Sequence, residues 1–417
     1  MTISTDTPLD PQLDTAQAPA SGSSVATRAA HRVRDVRLDV FRGAGLFIIF
    51  ISHVPRNPWA QFIPGKFGFS DATEIFVFCS GMASALAFAR VFDTHGALIG
   101  CARILHRCWQ VYWAHIGCLL TVLACMIAAG QWLGTGDLFV RDVGLTDFLE
   151  PRRGMRLVGI MTLTYVPPYF DILPMYLVIL ALIPPALLLA RIDPKLAMAA
   201  SLVLWAIASQ RVLELPRDPV AGDYWYFNPF SWQLVFFAGF AIMRGWLPSP
   251  PASKPLIAAA ILLVVLAIPL SWKPWLDANL DLAAWKESLK PLLDKTHVGA
   301  LRFLHFLALA YLATLAAGEK GYRLRGLVAE LCRSAGQQAL AVFMTGLTLS
   351  FIAGVVLTLT GRDAWLPVAA VNLAGIAIII AVSWLVAWFK SAPWHRAAKR
   401  ASGKACPGKG RGVKRLS

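Results

Sequence analysis

The feature that most constrains this chain is the number of its apolar runs. Ten stretches approach or exceed the roughly 20 residues a helix needs to cross the hydrocarbon core of a bilayer. They lie at about 39–55, 71–92, 108–130, 171–190, 196–213, 230–247, 255–272, 298–318, 332–359 and 364–389. No soluble core has room for them: 57% of the 417 residues are hydrophobic and 15% charged, against roughly a quarter charged in an average soluble domain. The mean hydropathy is +0.58. The expected fold is therefore all-α, a polytopic transmembrane bundle of about ten spans, which excludes secreted enzymes, DNA-binding modules and disordered scaffolds. The first stretch is short, and the ninth is long enough to be tilted or broken. Residues 156–166 are too short to span and are expected at the interface or re-entering.

Charge then orients the bundle. The net charge of +15 could suggest nucleic acid, but nine bases and no acid lie between Lys390 and Ser417, straight after an apolar run. A basic tail there reads as a topology anchor on anionic lipid, so no nucleic-acid partner is expected. One set of alternate loops is basic: Arg90, Arg103 and Arg107; Arg191 and Lys195; Arg244 and Lys254; Lys320, Arg323, Arg325 and Arg333. The other carries acids such as Asp137, Asp142, Glu214, Asp218, Asp277 and Asp294. The positive-inside rule puts the first set and both termini in the cytoplasm. Residues 1–34 read as a disordered extension rather than a signal peptide, 35–390 as the integral-membrane domain and 391–417 as the tail. The seven cysteines form no C-x-x-C pair, so neither a disulfide framework nor a zinc site is signalled, and no metal is expected.

Ionisable residues inside spans are costly and usually face a cavity or a partner. In the first run Arg42 and His53 stand eleven residues apart. That is three helical turns plus about 20°, or roughly 16 Å along one face. Gly45 and Ile49 lie between them, so the stripe reads as a narrow furrow with a cation at the cytoplasmic end and an imidazole at the outer end. Arg42 could instead be a snorkelling anchor, and His53 an interfacial histidine bonded to a loop. In the second run Ser70 or Asp71 is a plausible N-cap; Glu74, one turn deeper, is level with His53 and could orient it as a general base. Arg302, His305 and Asp171 fall near the same outer side. So does Tyr224-Trp225-Tyr226-Phe227-Asn228, which is either an interfacial aromatic belt or a platform for stacking sugars. Gly-rich phosphate loops, H-E-x-x-H and G-x-S-x-G are all absent. Acid-and-histidine chemistry at a membrane surface remains, with a transporter or flippase and a non-catalytic scaffold as alternatives.

Arg37-x-Asp39-x-x-Arg42-Gly43 followed by His53 resembles the first-span motif of the membrane acyltransferase-3 superfamily, and Phe76-Val77-Phe78-Cys79-Ser80-Gly81 is similar to its second-span motif, with Val77 departing from the aromatic pair. The match is closer to the OpgC proteins of osmoregulated periplasmic glucan synthesis. It rests on residues 67–78, Leu173-Pro-Met-Tyr-Leu177, Phe227-Asn-Pro-Phe-Ser-Trp-Gln233, Arg302-Phe-Leu-His305-Phe306 and Gly336-Gln-Gln-Ala-Leu340. The resemblance implies transfer of an acyl group, succinyl in the namesake, from cytoplasmic acyl-CoA to hydroxyls of a periplasmic glucan or another envelope polysaccharide. It implies an inner-membrane location, no bound cofactor, and glucan-synthesis membrane proteins as neighbours. It matches Arg42 to the position thought to engage the donor, with Arg37 and Asp39 beside it, and His53 to the catalytic histidine. Glu74 or Asp71 would orient that histidine. Arg302, His305 or Arg56 would serve the oxyanion or a free acyl carboxylate. Asp171, Trp225 and Tyr226 are expected at the acceptor.

Overall fold

The computed structural model describes residues 35–146, 153–218 and 220–394. The N-terminal extension and nearly all of the basic tail lie outside these residues. In chain order the helices are α1 (Val36–His53), α2 (Ala72–Ser84), a π-helical turn (Ala85–Ala89) and α3 (Arg90–Trp132); then α4 (Leu138–Asp142), α5 (Arg153–Thr162), α6 (Ile172–Ala181), α7 (Ile183–Ile192) and α8 (Pro194–Ser209). There follow α9 (Pro229–Arg244), α10 (Lys254–Ser271), α11 (Lys273–Ala278), α12 (Leu280–Ser288) and α13 (Lys290–Leu293), and then α14 (Ala300–Ala317), α15 (Leu327–Gln337), α16 (Ala339–Thr360) and α17 (Trp365–Lys390). No β-strand occurs among the described residues; Pro216 and Tyr224 form an isolated bridge. The protein is an all-α membrane protein. Six helical segments are long and apolar enough to cross a bilayer, the run Ala72–Trp132 counting as one.

The differences from the expected spans have local causes. Where a loop was expected over 93–107, helix continues on both sides of a single break at Gly96, whose φ of +82° favours glycine. The Phe92 ring then lies against Gly100, so the two arms fold back on each other. The ninth stretch breaks at Gln338, between α15 and α16. The segment expected at 156–166 forms the ten-residue α5, with Met155, Leu157 and Val158 exposed.

Helices meet at glycines, as membrane packing favours small residues where backbones approach. A Cβ on Gly43 would overlap the Cys332 carbonyl, and one on Gly336 the Asp39 carbonyl, which locks α1 to α15. Gly81 and Gly239 do the same reciprocally for α2 and α9, against the backbones of Phe236 and Phe78. Helix α9 is buried almost all round; its Gln233 is satisfied by Ser201 of α8 rather than left bare in an apolar core.

Contacts between loops follow their charge class. Arg244 pairs with Asp93, Arg191 donates to the Phe92 carbonyl and Arg37 to the Gly318 carbonyl, all within the basic set. Arg56 pairs with Asp142, Arg156 with Asp218 and His297 with Glu214 within the other.

Candidate functional site

Three helix ends converge at the second of these faces. The C-terminus of α1 brings His53, the N-terminus of α2 brings Asp71 and Thr73, and the N-terminus of α6 brings Asp171. Together with Tyr226, Phe227, Lys295 and the apolar Ile48, Ile49, Ile63 and Phe343 they line a cavity of about 410 Å³. That volume lies within the range of small-molecule sites.

His53 is held by its own helix. Its Nδ1 lies 2.7 Å from the Ile49 carbonyl oxygen, with Ser52 Oγ at 3.2 Å. A carbonyl can only accept, so Nδ1 carries a proton, and in the neutral ring Nε2 is left with the lone pair. The ring meets Tyr169 edge-on, centroids 5.6 Å apart. Tyr169 has a φ of +71°, a strained geometry for a bulky residue of the kind that clusters at functional sites.

The expected orienting carboxylates are engaged elsewhere. Asp71 caps α2 by accepting from the Thr73 N–H, and Glu74 reaches back to the Asp71 N–H at 2.8 Å, a reciprocal capping box. The other Glu74 oxygen accepts from Arg302 Nε of α14, and Asp71 pairs with Lys295 and, at 3.4 Å, with Arg302. The hydrogen bond that orients His53 is therefore made to the α1 backbone, while Glu74 is fully buried under Arg302 and Asp71 is taken up by Thr73 and Lys295. Arg302 stands behind the cavity as a brace for both acids. His305, one turn on, bonds Ser70 Oγ at 2.8 Å and packs on Phe69, outside the cavity wall.

Arg56 points away, exposed and paired with Asp142 at 3.1 Å. Asp171 is buried in the wall, and its Oδ1 has no hydrogen-bond partner. Of the aromatic cluster, Trp225 is only 4% exposed, its indole tied to the Pro216 carbonyl; it is neither a belt residue nor a stacking platform. Tyr224 and Tyr226, at 61% and 45%, face out.

Beside the cavity lies an open cleft of about 560 Å³, and Arg217 and Tyr226 line both. In its wall His297 bridges two acids, Nδ1 to Asp294 at 2.6 Å and Nε2 to Glu214 at 2.7 Å. The Asp294 bond is the main cause that raises the His297 pKa, against partial burial and with help from Glu214. Burial pushes the Asp294 carboxyl up, but bonds from His297 and the Thr296 N–H outweigh it and leave it below its usual value.

A family model described as OpgC protein matches residues 34–391. The chain belongs to the OpgC family. No curated protein and no solved structure gives a match. The matched range contains both cavities and every residue that lines them.

At the other end of α1, the OpgC chain gathers Arg37, Asp39 and Arg42. Arg42 Nε donates to the Gly336 carbonyl at 2.9 Å and its guanidinium pairs with Asp39 at 3.2 Å, leaving the side chain 12% exposed. Arg37 pairs with the helix cap Asp35. The expected furrow between Arg42 and His53 is filled: Gly45 packs against Ile75 and the Ala72 carbonyl of α2, and Ile49 is buried. A glycine on a helix face is a small-residue contact as readily as an open groove, and only the partner helix decides between them. Among the described residues no cluster of three or more His, Cys, Asp or Glu could hold a metal.

Sequence reasoning passed over Lys295, Arg217 and Tyr169. Lys295 and Arg217 sit in loops whose charges were read for topology alone. Tyr169 gave one signal, the Pro167-Pro168 pair that forces an irregular turn before α6.

Proposed function

We propose that this OpgC protein is a membrane O-acyltransferase that moves an acyl group from acyl-CoA to hydroxyls of a glucan in the bacterial envelope. The observation that carries this reading is the anchoring of His53: a cavity-lining imidazole whose Nδ1–H is held by the Ile49 carbonyl has, in its neutral form, Nε2 as its one basic atom, which is what a general base needs. Nε2 takes the hydroxyl proton as the acceptor oxygen adds to the thioester carbonyl. The tetrahedral intermediate collapses with loss of the CoA thiolate, which receives that proton from the imidazolium. Lys295, one of two cavity cations with Arg217, serves the oxyanion, and Asp171 in the cavity wall is the carboxyl group offered to the acceptor sugar.

The loop charges and the contacts within each charge class favour the cavity on the periplasmic face of the inner membrane, with both termini cytoplasmic. The donor then approaches at Arg42, Asp39 and Arg37. Its acyl arm passes between α1 and α2 at Gly45 once Ile75 swings aside. Succinyl is the group the family suggests, with no bound cofactor and no nucleic acid. Glucan-synthesis membrane proteins are the partners expected in the bilayer. The family assignment does not favour the transporter reading. Purified protein, a radiolabelled acyl-CoA and a gluco-oligosaccharide test the proposal: label should pass to the sugar with stoichiometric release of free CoA. Sugar left unlabelled with a panel of acyl-CoAs would refute it.

A further inference from the structure

The open cleft has a rigid frame and a mixed surface. Residues 215–218 and 222–225 run back along each other: the Trp225 N–H donates to the Leu215 carbonyl at 2.9 Å, the Arg217 N–H to the Asp223 carbonyl, and the Trp225 indole to the Pro216 carbonyl. Arg156 holds this turn from α5 through Asp218, in a pair with both side chains about 5% exposed. On the opposite wall the His297 bridge joins Asp294 to Glu214, and Asn228 also bonds Glu214. Because Trp225 turns inward, its neighbours Tyr224 and Tyr226 turn outward, and Tyr226 lines both the cleft and the cavity that holds His53.

We infer that this cleft is an acceptor subsite that holds the sugar ring next to the one being acylated. The inference rests on the acyl-transfer reading for what happens in the cavity, but not for what binds in the cleft. A pyranose has apolar C–H faces and a rim of hydroxyls. It needs an aromatic face with planar hydrogen-bonding groups beside it, which Tyr224 and Tyr226 with Arg211, Arg217 and Glu214 provide. Arg211, Arg217 and His297 stand against Glu214, Asp294 and Asp223, the last paired with Arg217, which leaves no net charge to hold an anionic lipid or phosphate, and a neutral polyhydroxylated ligand fits that balance. Cavity and cleft each lie within the volume of a small-molecule site, and both are lined by Arg217 and Tyr226, so they lie side by side, as sites for adjacent rings of one chain must. The acceptor is therefore read over at least two residues of its chain, and an oligosaccharide is preferred to a single sugar.

The test uses the full-length protein in detergent or nanodiscs, with glucose and a short gluco-oligosaccharide as acceptors. Wild type should show the lower KM for the oligosaccharide. Tyr224→Ala should raise that KM about tenfold, equivalent to ~1.4 kcal/mol, with kcat little changed, while Tyr224→Phe, which keeps the ring, should stay near wild type. Equal KM values for the two acceptors in wild type, or an unmoved KM in Tyr224→Ala, would overturn the subsite. Calorimetric binding of the same oligosaccharide reads the cleft without turnover. Binding by wild type that weakens in Tyr224→Ala, with no transfer detected, would leave the subsite standing and sink acyl transfer. Absence of binding by wild type would overturn the subsite whatever the activity.

Discussion

At the scale of single residues, His53, the proposed base, is distinct from the groups that hold its surroundings. Glu74 is the sharpest case, because its place in the second run made it a natural partner for His53. Its oxygens instead close the capping box of α2 and receive Arg302. Removing one member of a buried ion pair costs ~3–5 kcal/mol. Glu74→Gln should therefore lower thermal stability and yield, while the folded fraction keeps the wild-type pH–rate profile. A shifted profile would mean that Glu74 does orient the base. The sequence showed which residue types stand at the outer membrane level, and that much of the site was legible: His53, Asp71, Asp171 and Tyr226 do line one cavity. Which acid faces which base was not legible, since Arg302 and Glu74 are 228 positions apart and only the α2–α14 packing joins them. Arg56 misled for the opposite reason: nearness to His53 in sequence says nothing once the chain leaves α1 and Arg56 takes a φ of +56°.

At the scale of helices, apolar runs announced most elements, because each needs some 20 apolar residues whatever it packs against. Breaks were harder to read. The turn at Gly96 is carried by one left-handed glycine inside otherwise helical sequence. Crossings were legible only as isolated glycines until their partners appeared. A Cβ on Gly239 would lie 2.3 Å from the Phe78 carbonyl oxygen, and overpacking typically costs ~1–3 kcal/mol. Gly239→Val should thus part α9 from α2 and lower the melting temperature in detergent, while Gly117→Val, where a Cβ meets nothing, should leave it unchanged. The His297 bridge gives a pH dependence of known sign. Its folded pKa is raised from 6.5, so its contribution is complete below 6.5 and is lost as pH rises through the folded value. That of Asp294, lowered from 3.8, is complete above 3.8 and is lost as pH falls through its folded value. Arg211 and Arg217 also line this cleft and stay charged throughout. Hydrogen exchange in residues 213–228 should therefore speed up as pH is raised above neutrality, beyond the intrinsic rate increase. In His297→Gln that extra rise should vanish.

At the scale of the whole molecule, the α1 axis links a basic, arginine-rich end to a cavity that holds an imidazole, two acids and two cations. An enzyme that joins a cytoplasmic donor to a periplasmic acceptor needs that polarity, and it can be checked directly. With the native cysteines replaced, Arg56→Cys should react with a membrane-impermeant thiol reagent in intact spheroplasts, and Arg323→Cys only after permeabilisation; the reverse pattern would invert the proposed direction of transfer. The central claim is that His53 removes the acceptor proton, a contribution of typically ~10²–10⁴-fold. The most direct measurement is mass spectrometry of periplasmic glucans from cells carrying the wild-type chain, His53→Ala or a deletion, with membrane levels of both proteins matched. The account predicts an acyl mass increment in wild type that is absent from both of the others. Glucans with the same increment in His53→Ala as in wild type would contradict it.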